Sequence, residues 1–496
     1  MIEWRKLQNG SDIRGVALEG IAGEQVNLTA DVTAMIAAAF VRWLYERAVD
    51  RPVTVAVGMD SRLSGPALKA AFIEGATRAG ADVRDCGLAS TPAMFMSTVD
   101  REDPVTGGVM ITASHLPFNR NGLKFFTRDG GLDKKDITAI LDLAANQPAT
   151  DAERPGTVTS WNLMDRYCAS LVDYVRRNVR TADAERPLQG MRIVVDAGNG
   201  AGGFFADRVL QVLGADTTGS QFLDPDGLFP NHIPNPENRD AMLSVCKAVK
   251  DSHADLGIIF DTDVDRSAIV DGNGEPVNRN ALIALIAAVV LCEHPGSTVV
   301  TDSVTSEGLT AFIERIGGHH HRYMRGYKNV INEAVRLNAQ GTESWLAIET
   351  SGHAALRENY FLDDGAFLVA KLLTEAARRK AQGKTLVSLI RDLRKPVESR
   401  EVRFRIADAD FRSYGLRVLE QVGKEVSAAA DMEIVTPNYE GIRVRCTAPG
   451  EQGWFLIRLS LHDPVMVLNI ESDVTGGTGQ IETRVRRMLS AFDGLA

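Results

Sequence analysis

The sequence predicts three related α/β domains followed by a smaller α+β domain. A strand–loop–helix unit occurs three times, three later strands each run into a polar loop, and the pattern changes after roughly residue 392. At 496 residues the chain is also too long for one core.

The first copy of the unit is VTVAVGMDSR, a helix, then RAGADV. The second is RIVVDAGNG, a helix, then VLGADT, and the third is STVVTDSVTS, a helix, then RIGGHH. Pro66 suits a first helical turn, and Gly80, Gly214 and Gly317 suit helix C-caps. Phe205, Val209, Val212 and Leu213 fall on one face of the second helix. Leu309, Phe312, Ile313 and Ile316 do the same in the third. Apolar, β-branched strands predict sheets covered by helices on both sides. The later strands are GGVMITASHLP, DLGIIFDTDVDR and SWLAIETSGH. Active sites of α/β sheets form at the carboxyl ends of strands, so three related domains would each present one loop to a shared cleft. After residue 392, SREVRFRIAD, GIRVRCTA, GWFLIRLS and VMVLNIES read as strands, with helices at 410–430 and 476–492. The stretch NQPATDAERPGT, 146–157, reads as a linker. The expected domains are 1–150, 155–275, 276–391 and 392–496.

Composition excludes several classes. With 44% hydrophobic and 24% charged residues the chain is that of an ordinary globular protein. A net charge of -10 argues against a nucleic-acid partner, but a small anionic substrate needs only a few local cations. The five cysteines are scattered, with no CxxC pair, which fits a reducing compartment better than a disulfide framework. No apolar signal segment opens the chain. The longest apolar run, 281–292, is too short to span a bilayer and reads as a buried helix. The expectation is a cytoplasmic protein without a membrane partner.

The first polar loop places Ser114 between small residues at a strand end, with His115 beside it and Lys124 ten residues on. A serine hydroxyl needs a base, a metal or a charged partner to react. The bland alternative is a polar turn, with Asn119, Asn121 and Gly122 present for geometry. A hydrolase elbow is excluded because GxSxG is missing. The second loop, FDTDVDR, sets Asp261, Asp263 and Asp265 at alternate positions, hard oxygen ligands suited to Mg²⁺ or Ca²⁺. An EF-hand fails, since Arg266 and Gly272 stand where glycine and glutamate are required. Arg266 could orient a phosphoryl oxygen.

A DxDx pattern after an apolar strand also resembles the haloacid-dehalogenase phosphatases, with Asp363 and Asp364 as a further acidic motif. Against that reading, Asp265 replaces their usual Thr or Val, and Ser114 and the threefold repeat go unexplained. Gly198, Gly200 and Gly203 have dinucleotide-binding spacing, but Asp216 follows the helix stop at Gly214 too closely for a strand to intervene. That loop is therefore read as structural.

In the third loop Glu349, Ser351 and His353 offer an acceptor, a hydroxyl and an imidazole for a sugar. Arg325 and Lys328 form a basic glycine turn, RGYK. Near the C-terminus, RLSLHDP offers Arg458, Ser460 and His462 as phosphate contacts. His319, His320 and His321 lack carboxylate support for a metal and read as a surface turn and strand start.

These motifs resemble, in order and over nearly the whole chain, those of the α-D-phosphohexomutases, which include phosphomannomutase/phosphoglucomutase and phosphoglucosamine mutase. The resemblance rests on SDIRGV with Arg14, VGMDSRLSGPAL, GLASTPA, TASHLPFNRNGLKFF, PDGLFPNHIPNPEN, FDTDVDR, ETSGH and RLSLHDP. It implies a heart-shaped molecule with a central cleft, in which three mixed-sheet α/β domains precede a domain resembling the TATA-box-binding protein. It implies that Ser114 carries a phosphoryl group and that Asp261, Asp263 and Asp265, with a Ser114 phosphate oxygen, hold Mg²⁺. Phosphate would move between C1 and C6 of a hexose phosphate, mannose or glucose being favoured, through a hexose 1,6-bisphosphate. Lys124 and His353 are the candidate acid and base, with Arg14, Arg266 and His115 beside them. Arg458, Ser460 and His462 would hold the phosphate that is not reacting. The expected assembly is a monomer or homodimer.

The chain departs from the phosphomannomutase/phosphoglucomutase pattern at Ser11, Tyr327, Leu116 and residues 461–463, which lie on substrate-contact loops. Phosphoglucosamine mutase therefore stands as the alternative within the family. A phosphatase using Asp261 or a non-catalytic sugar-phosphate binder stands as the alternative outside it.

Overall fold

The computed structural model describes residues 2–47, 52–146, 151–179, 183–460 and 463–495. It divides into two compact units, 1–278 with 351–388, and 279–350 with 389–496. The expected third domain is thus shared, its 351–388 segment grouping with unit 1.

Unit 1 holds two mixed sheets. The first runs in the order Gln8–Asn9, Asp12–Val16, Arg120–Thr127, Gly107–Ile111, Thr54–Met59, Asp82–Leu88, Val158–Ser160. The pairings are antiparallel up to Gly107–Ile111 and parallel beyond it. Ile36, Phe40, Phe72, Val57, Ile111 and Phe125 lie in its core. Of the expected linker, 147–150 lie outside the described residues. The rest is not a free tether, because Ala152 and Thr157 bond back to Arg78 and Val83, and Val158–Ser160 joins the first sheet. The second sheet orders Pro276–Val277, Ser267–Asp271, Leu256–Phe260, Ile193–Asp196, with only the last pairing parallel.

Unit 2 contains the parallel strands His319–Tyr323, Thr298–Asp302 and Ser344–Ile348. The run 281–292 lies in the helix Arg279–Glu293, buried from Leu282 to Leu291. The C-terminal sheet is wholly antiparallel, in the order Glu398–Arg405, Val465–Ser472, Gly453–Leu459, Ile442–Cys446, Met432–Ile434. Helices Phe411–Ala428 and Gly477–Leu489 pack on it around Val418, Val422, Ile481 and Val485. No helix among the described residues is long and apolar enough to cross a membrane.

The glycine stops behave as expected: Gly80, Gly214 and Gly317 have φ of +90°, +94° and +86°. One helical face needs correction. Phe205, Val209 and Leu213 are fully buried, but Val212 is 44% exposed. The reason is local winding, since Ala206–Leu210 forms a π-helix. Its wider turn brings the buried positions round every fourth residue and rotates Val212 outward.

Candidate active site

Ser114 sits just past the strand Gly107–Ile111, with a left-handed backbone, φ +50°. Serine seldom adopts that region, and such strain gathers where a side chain must be aimed. The Ser114 hydroxyl donates to Asp261 Oδ2 at 2.9 Å and accepts from Arg266 Nη2 at 2.9 Å. Arg266 also donates to Asp261 Oδ2 through Nε and Nη2, and to His115 Nδ1 at 2.6 Å. Burial, together with Arg266 and Arg14, pushes His115 down to about 3. His115 is therefore neutral near pH 7, with Nδ1 as the acceptor.

The aspartate loop is a turn between the antiparallel strands Leu256–Phe260 and Ser267–Asp271. Val264, at φ +69°, makes it tight enough for three carboxylates to share one side. Asp261, Asp263 and Asp265 are completely buried, and their ligand oxygens lie within 4.8 Å of one another. Lys124 Nζ donates to Asp263 Oδ2 at 2.9 Å and to Asp265 Oδ2. Burial alone would depress Lys124, but these two carboxylates outweigh it and hold its ammonium well above the usual value. Burial likewise opposes ionisation of Asp265, yet Lys124, His353 and Arg266 hold that carboxyl well below its usual range. Burial and the neighbouring Asp265 push Asp261 well up. Asp263 Oδ1 and Asp265 Oδ1 are buried with no hydrogen-bond partner. Orphaned carboxylate oxygens at this density fit a hard divalent cation.

His353 reaches this cluster through Gly352, whose carbonyl accepts from the Ser267 amide, and through a bridge between Arg266 and His353. Its Nδ1 is 2.5 Å from Asp363 Oδ2 and 3.8 Å from Asp265 Oδ1. Burial works against its proton, but Asp363 and Asp265 prevail and raise it to about 9. Arg14 bonds the Thr112 carbonyl and Asp12. Unit 1 thus gathers Ser114, His115, Lys124, the three aspartates, Arg266 and His353, with Arg14 on the carbonyl of Thr112; Ser351 belongs to the same unit and is buried.

In unit 2, Arg325, Lys328 and Glu349 follow the carboxyl ends of parallel strands. Glu349 Oε1 accepts from the Gly326 amide at 2.6 Å, joining the glycine turn to the third loop. Arg458 lies 3.5 Å from Glu440, and the Ser460 hydroxyl accepts from the Asp463 amide. His462 lies outside the described residues.

Several residues escaped the sequence reading. Thr91, in GLASTPA, donates its hydroxyl to Asp263 Oδ2 at 2.5 Å and its amide to the Asp263 carbonyl. Asp363 orients His353, while its neighbour Asp364 caps the helix Gly365–Ala381, so the pair is not a second acidic motif of one site. The only signal for Thr91 was its place in GLASTPA, one of the segments that carry the family resemblance; nothing in the sequence linked it to residue 263. The glycine loop is structural, and its purpose is now visible. A Cβ on Gly200 would meet the Thr262 backbone at 2.7 Å, and Ala201 donates to the Thr262 carbonyl. It supports the aspartate loop, and Asp216 is tied to Arg192. The histidines begin the strand His319–Tyr323, as expected, but His320 is only half-exposed, and His321 does meet a carboxylate, Glu333 Oε1 at 2.9 Å. The His320 ring is held between Thr301 and Thr310.

Fold and site define an enzyme class: α/β domains that present a serine and a carboxylate cluster at strand ends. Models of the phosphoglucomutase/phosphomannomutase α/β/α domains I, II and III match residues 5–150, 165–274 and 278–397. The chain belongs to the phosphoglucomutase/phosphomannomutase family. It is 30% identical over 431 residues to a phosphomannomutase/phosphoglucomutase of Pseudomonas syringae pv. tomato, covering 86% of this chain and 85% of that one. It is 29% identical over 475 residues to a Neisseria gonorrhoeae phosphoglucomutase, covering 96% and 95%. Among solved structures, a phosphoglucomutase/phosphomannomutase family protein from Burkholderia thailandensis matches with a TM-score of 0.81 at 27% identity, covering 99% and 98%.

Proposed function

We propose that the chain is a hexose-phosphate mutase that carries the transferring phosphoryl group on Ser114. The carrying observation is the Ser114 hydroxyl, 2.9 Å from both the Asp261 carboxylate and the Arg266 guanidinium, beside two orphaned carboxylate oxygens. Phosphoryl transfer depends on positioning and charge neutralisation, and this is an arrangement for both.

Asp261, Asp263 and Asp265 would hold Mg²⁺ together with an oxygen of the Ser114 phosphate. When bound, the ion neutralises charge on the transferring group. Arg266 donates to the Ser114 hydroxyl that would carry the group, so it would stand beside the phosphoryl oxygens. The phosphoserine P–O bond breaks as a free hydroxyl of the sugar phosphate bonds to phosphorus, giving a hexose 1,6-bisphosphate. Serine regains a proton, and the hydroxyl's proton leaves to a base. Lys124 and His353 are the candidate proton carriers, both protonated as the structure stands, so the one that gives its proton to the serine oxygen is left as the base that takes the sugar hydroxyl's proton. Return of the other phosphate to Ser114 completes the isomerisation. Glu349, Ser351, Arg325, Lys328, Arg458 and Ser460 are the proposed sugar and phosphate contacts, and His462 completes the set read from the sequence. The relatives' names support mannose and glucose phosphates as substrates.

The test offers glucose 1-phosphate, mannose 1-phosphate and glucosamine 1-phosphate with Mg²⁺ and a trace of hexose 1,6-bisphosphate, followed by phosphorus NMR. Isomerisation of at least one is expected. Release of inorganic phosphate without isomerisation would transfer the reading to a phosphatase.

A further inference from the structure

The loop that carries Ser114 is held from beneath by a buried cation that the chemistry above does not use. Arg62 is 1% exposed, and its guanidinium donates to the Ser114 carbonyl, to Leu116 O at 2.6 Å, to Pro117 O at 2.8 Å and to Arg120 O at 3.0 Å. Asp60 holds the guanidinium in place, with Oδ2 3.3 Å from Nε. The same Oδ2 accepts from the Thr112 hydroxyl at 2.6 Å, and the Thr112 Oγ1 accepts from the Ser114 amide at 2.9 Å. Both the amide and the carbonyl of Ser114 are therefore fixed by one Asp60–Arg62–Thr112 network. The Phe229 ring lies 5.2 Å from the guanidinium, within reach of a cation–π contact. Its segment can approach because Gly227 has no Cβ, which would stand 2.4 Å from the Leu63 amide.

We propose that Arg62 is a positioning residue for phosphoryl transfer, holding Ser114 in its left-handed conformation with the hydroxyl between Asp261 and Arg266. A guanidinium suits this task because a planar fork with five N–H groups can satisfy four carbonyls at once, whereas an ammonium has three donors and no fixed plane. Pro117 O also accepts from the Arg120 amide, so the carbonyls of Ser114 and Leu116 depend on the guanidinium more than Pro117 does. Arg62 touches no reacting atom, so its effect must pass through the geometry of Ser114.

The inference rests on the mutase reading, and the test separates the two. Arg62→Lys and the near-isosteric Thr112→Val are compared with the native protein by steady-state kinetics on a hexose 1-phosphate. Exchange of backbone amides over 112–127 is followed by mass spectrometry. Arg62→Lys is expected to lower kcat ~100-fold, with KM within about twofold, since displacement of a reacting group by about 1 Å costs that much. Thr112→Val is expected to lower kcat ~10-fold, the loss of one hydrogen bond at a buried site. Exchange should quicken over 112–119 and not along the strands of the sheet, Arg120–Thr127 included. A native kcat in folded Arg62→Lys, or KM rising as far as kcat falls, overturns the inference. If Arg62→Lys does not fold, a native kcat in Thr112→Val overturns it. No turnover by the native protein would strike the mutase reading instead, and unchanged exchange in the variants would then overturn the positioning role independently.

Discussion

The strand-end loops of the two units use the same kinds of side chain but hold them differently. In unit 1, Lys124 and Arg266 meet carboxylates at hydrogen-bond distance, and the Arg266 side chain is 3% exposed. In unit 2, Arg458 stands 3.5 Å from Glu440 and Arg325 stands 3.8 Å from Asp302, with the Arg325 side chain 24% exposed. The first arrangement is dry and charge-matched, which strengthens every electrostatic contact and removes reorganisation from the reacting step. In the second, the buried Nε of Arg458 has no hydrogen-bond partner, a donor that an incoming anion could take up. Under the proposed function, unit 1 would supply fixed chemistry and unit 2 adaptable recognition.

The largest test of that division is Ser114→Ala. Turnover should fall on the order of 10⁴-fold or more, as when a nucleophile that works with its partners is removed. Intact mass should then show no phosphorylated form, and a fully active variant would refute the carrier role.

Next is Asp263→Asn, which removes one oxygen ligand and one partner of Lys124. Turnover should drop ~10²–10³-fold, the scale of losing one preorganised charge contact. A Mg²⁺ titration should show weaker dependence, whereas unchanged Mg²⁺ affinity would detach the loop from metal binding.

Arg458→Ala probes the looser region. KM for the hexose phosphate should rise ~10–100-fold, with a smaller change in kcat, as for the loss of one charge-assisted hydrogen bond. A fall in kcat at constant KM would break the proposed division.

The smallest effect concerns stability in unit 2. Burial pushes Glu471 up to about 7, against the Trp454 N–H and the Arg443 charge that favour its carboxylate. A carboxyl with a raised folded-state pKa favours folding below its unfolded value near 4.5, and that advantage is lost as pH rises through about 7. Glu471→Gln, which can still accept from Trp454, should therefore be more stable than the native protein by about 1–2 kcal/mol at pH 8.5, and no more stable at pH 4. Denaturant unfolding at the two pH values measures this, and parallel curves would contradict it.

What the sequence determined by itself was local. Strand–loop–helix periodicity marked the repeated units, the glycine stops and the strand ends. The alternating aspartates of 261–265 already implied a hard-cation site, because ligand chemistry and spacing reside in a few neighbouring residues. Ser114 was legible for the same reason, as a small-residue turn after an apolar strand.

Tertiary structure alone decided what lay beyond a short stretch of chain. The helical spacing of Phe205, Val209, Val212 and Leu213 gave no sign of the π winding that turns Val212 outward. Thr91 and Asp263 are 172 positions apart, and Arg62 lies more than fifty residues before the carbonyls it binds. Asp363 and Asp364 look alike in sequence, yet one orients His353 and the other caps a helix. Such roles follow from which backbone groups burial leaves in need of a partner, and the folded chain sets that need.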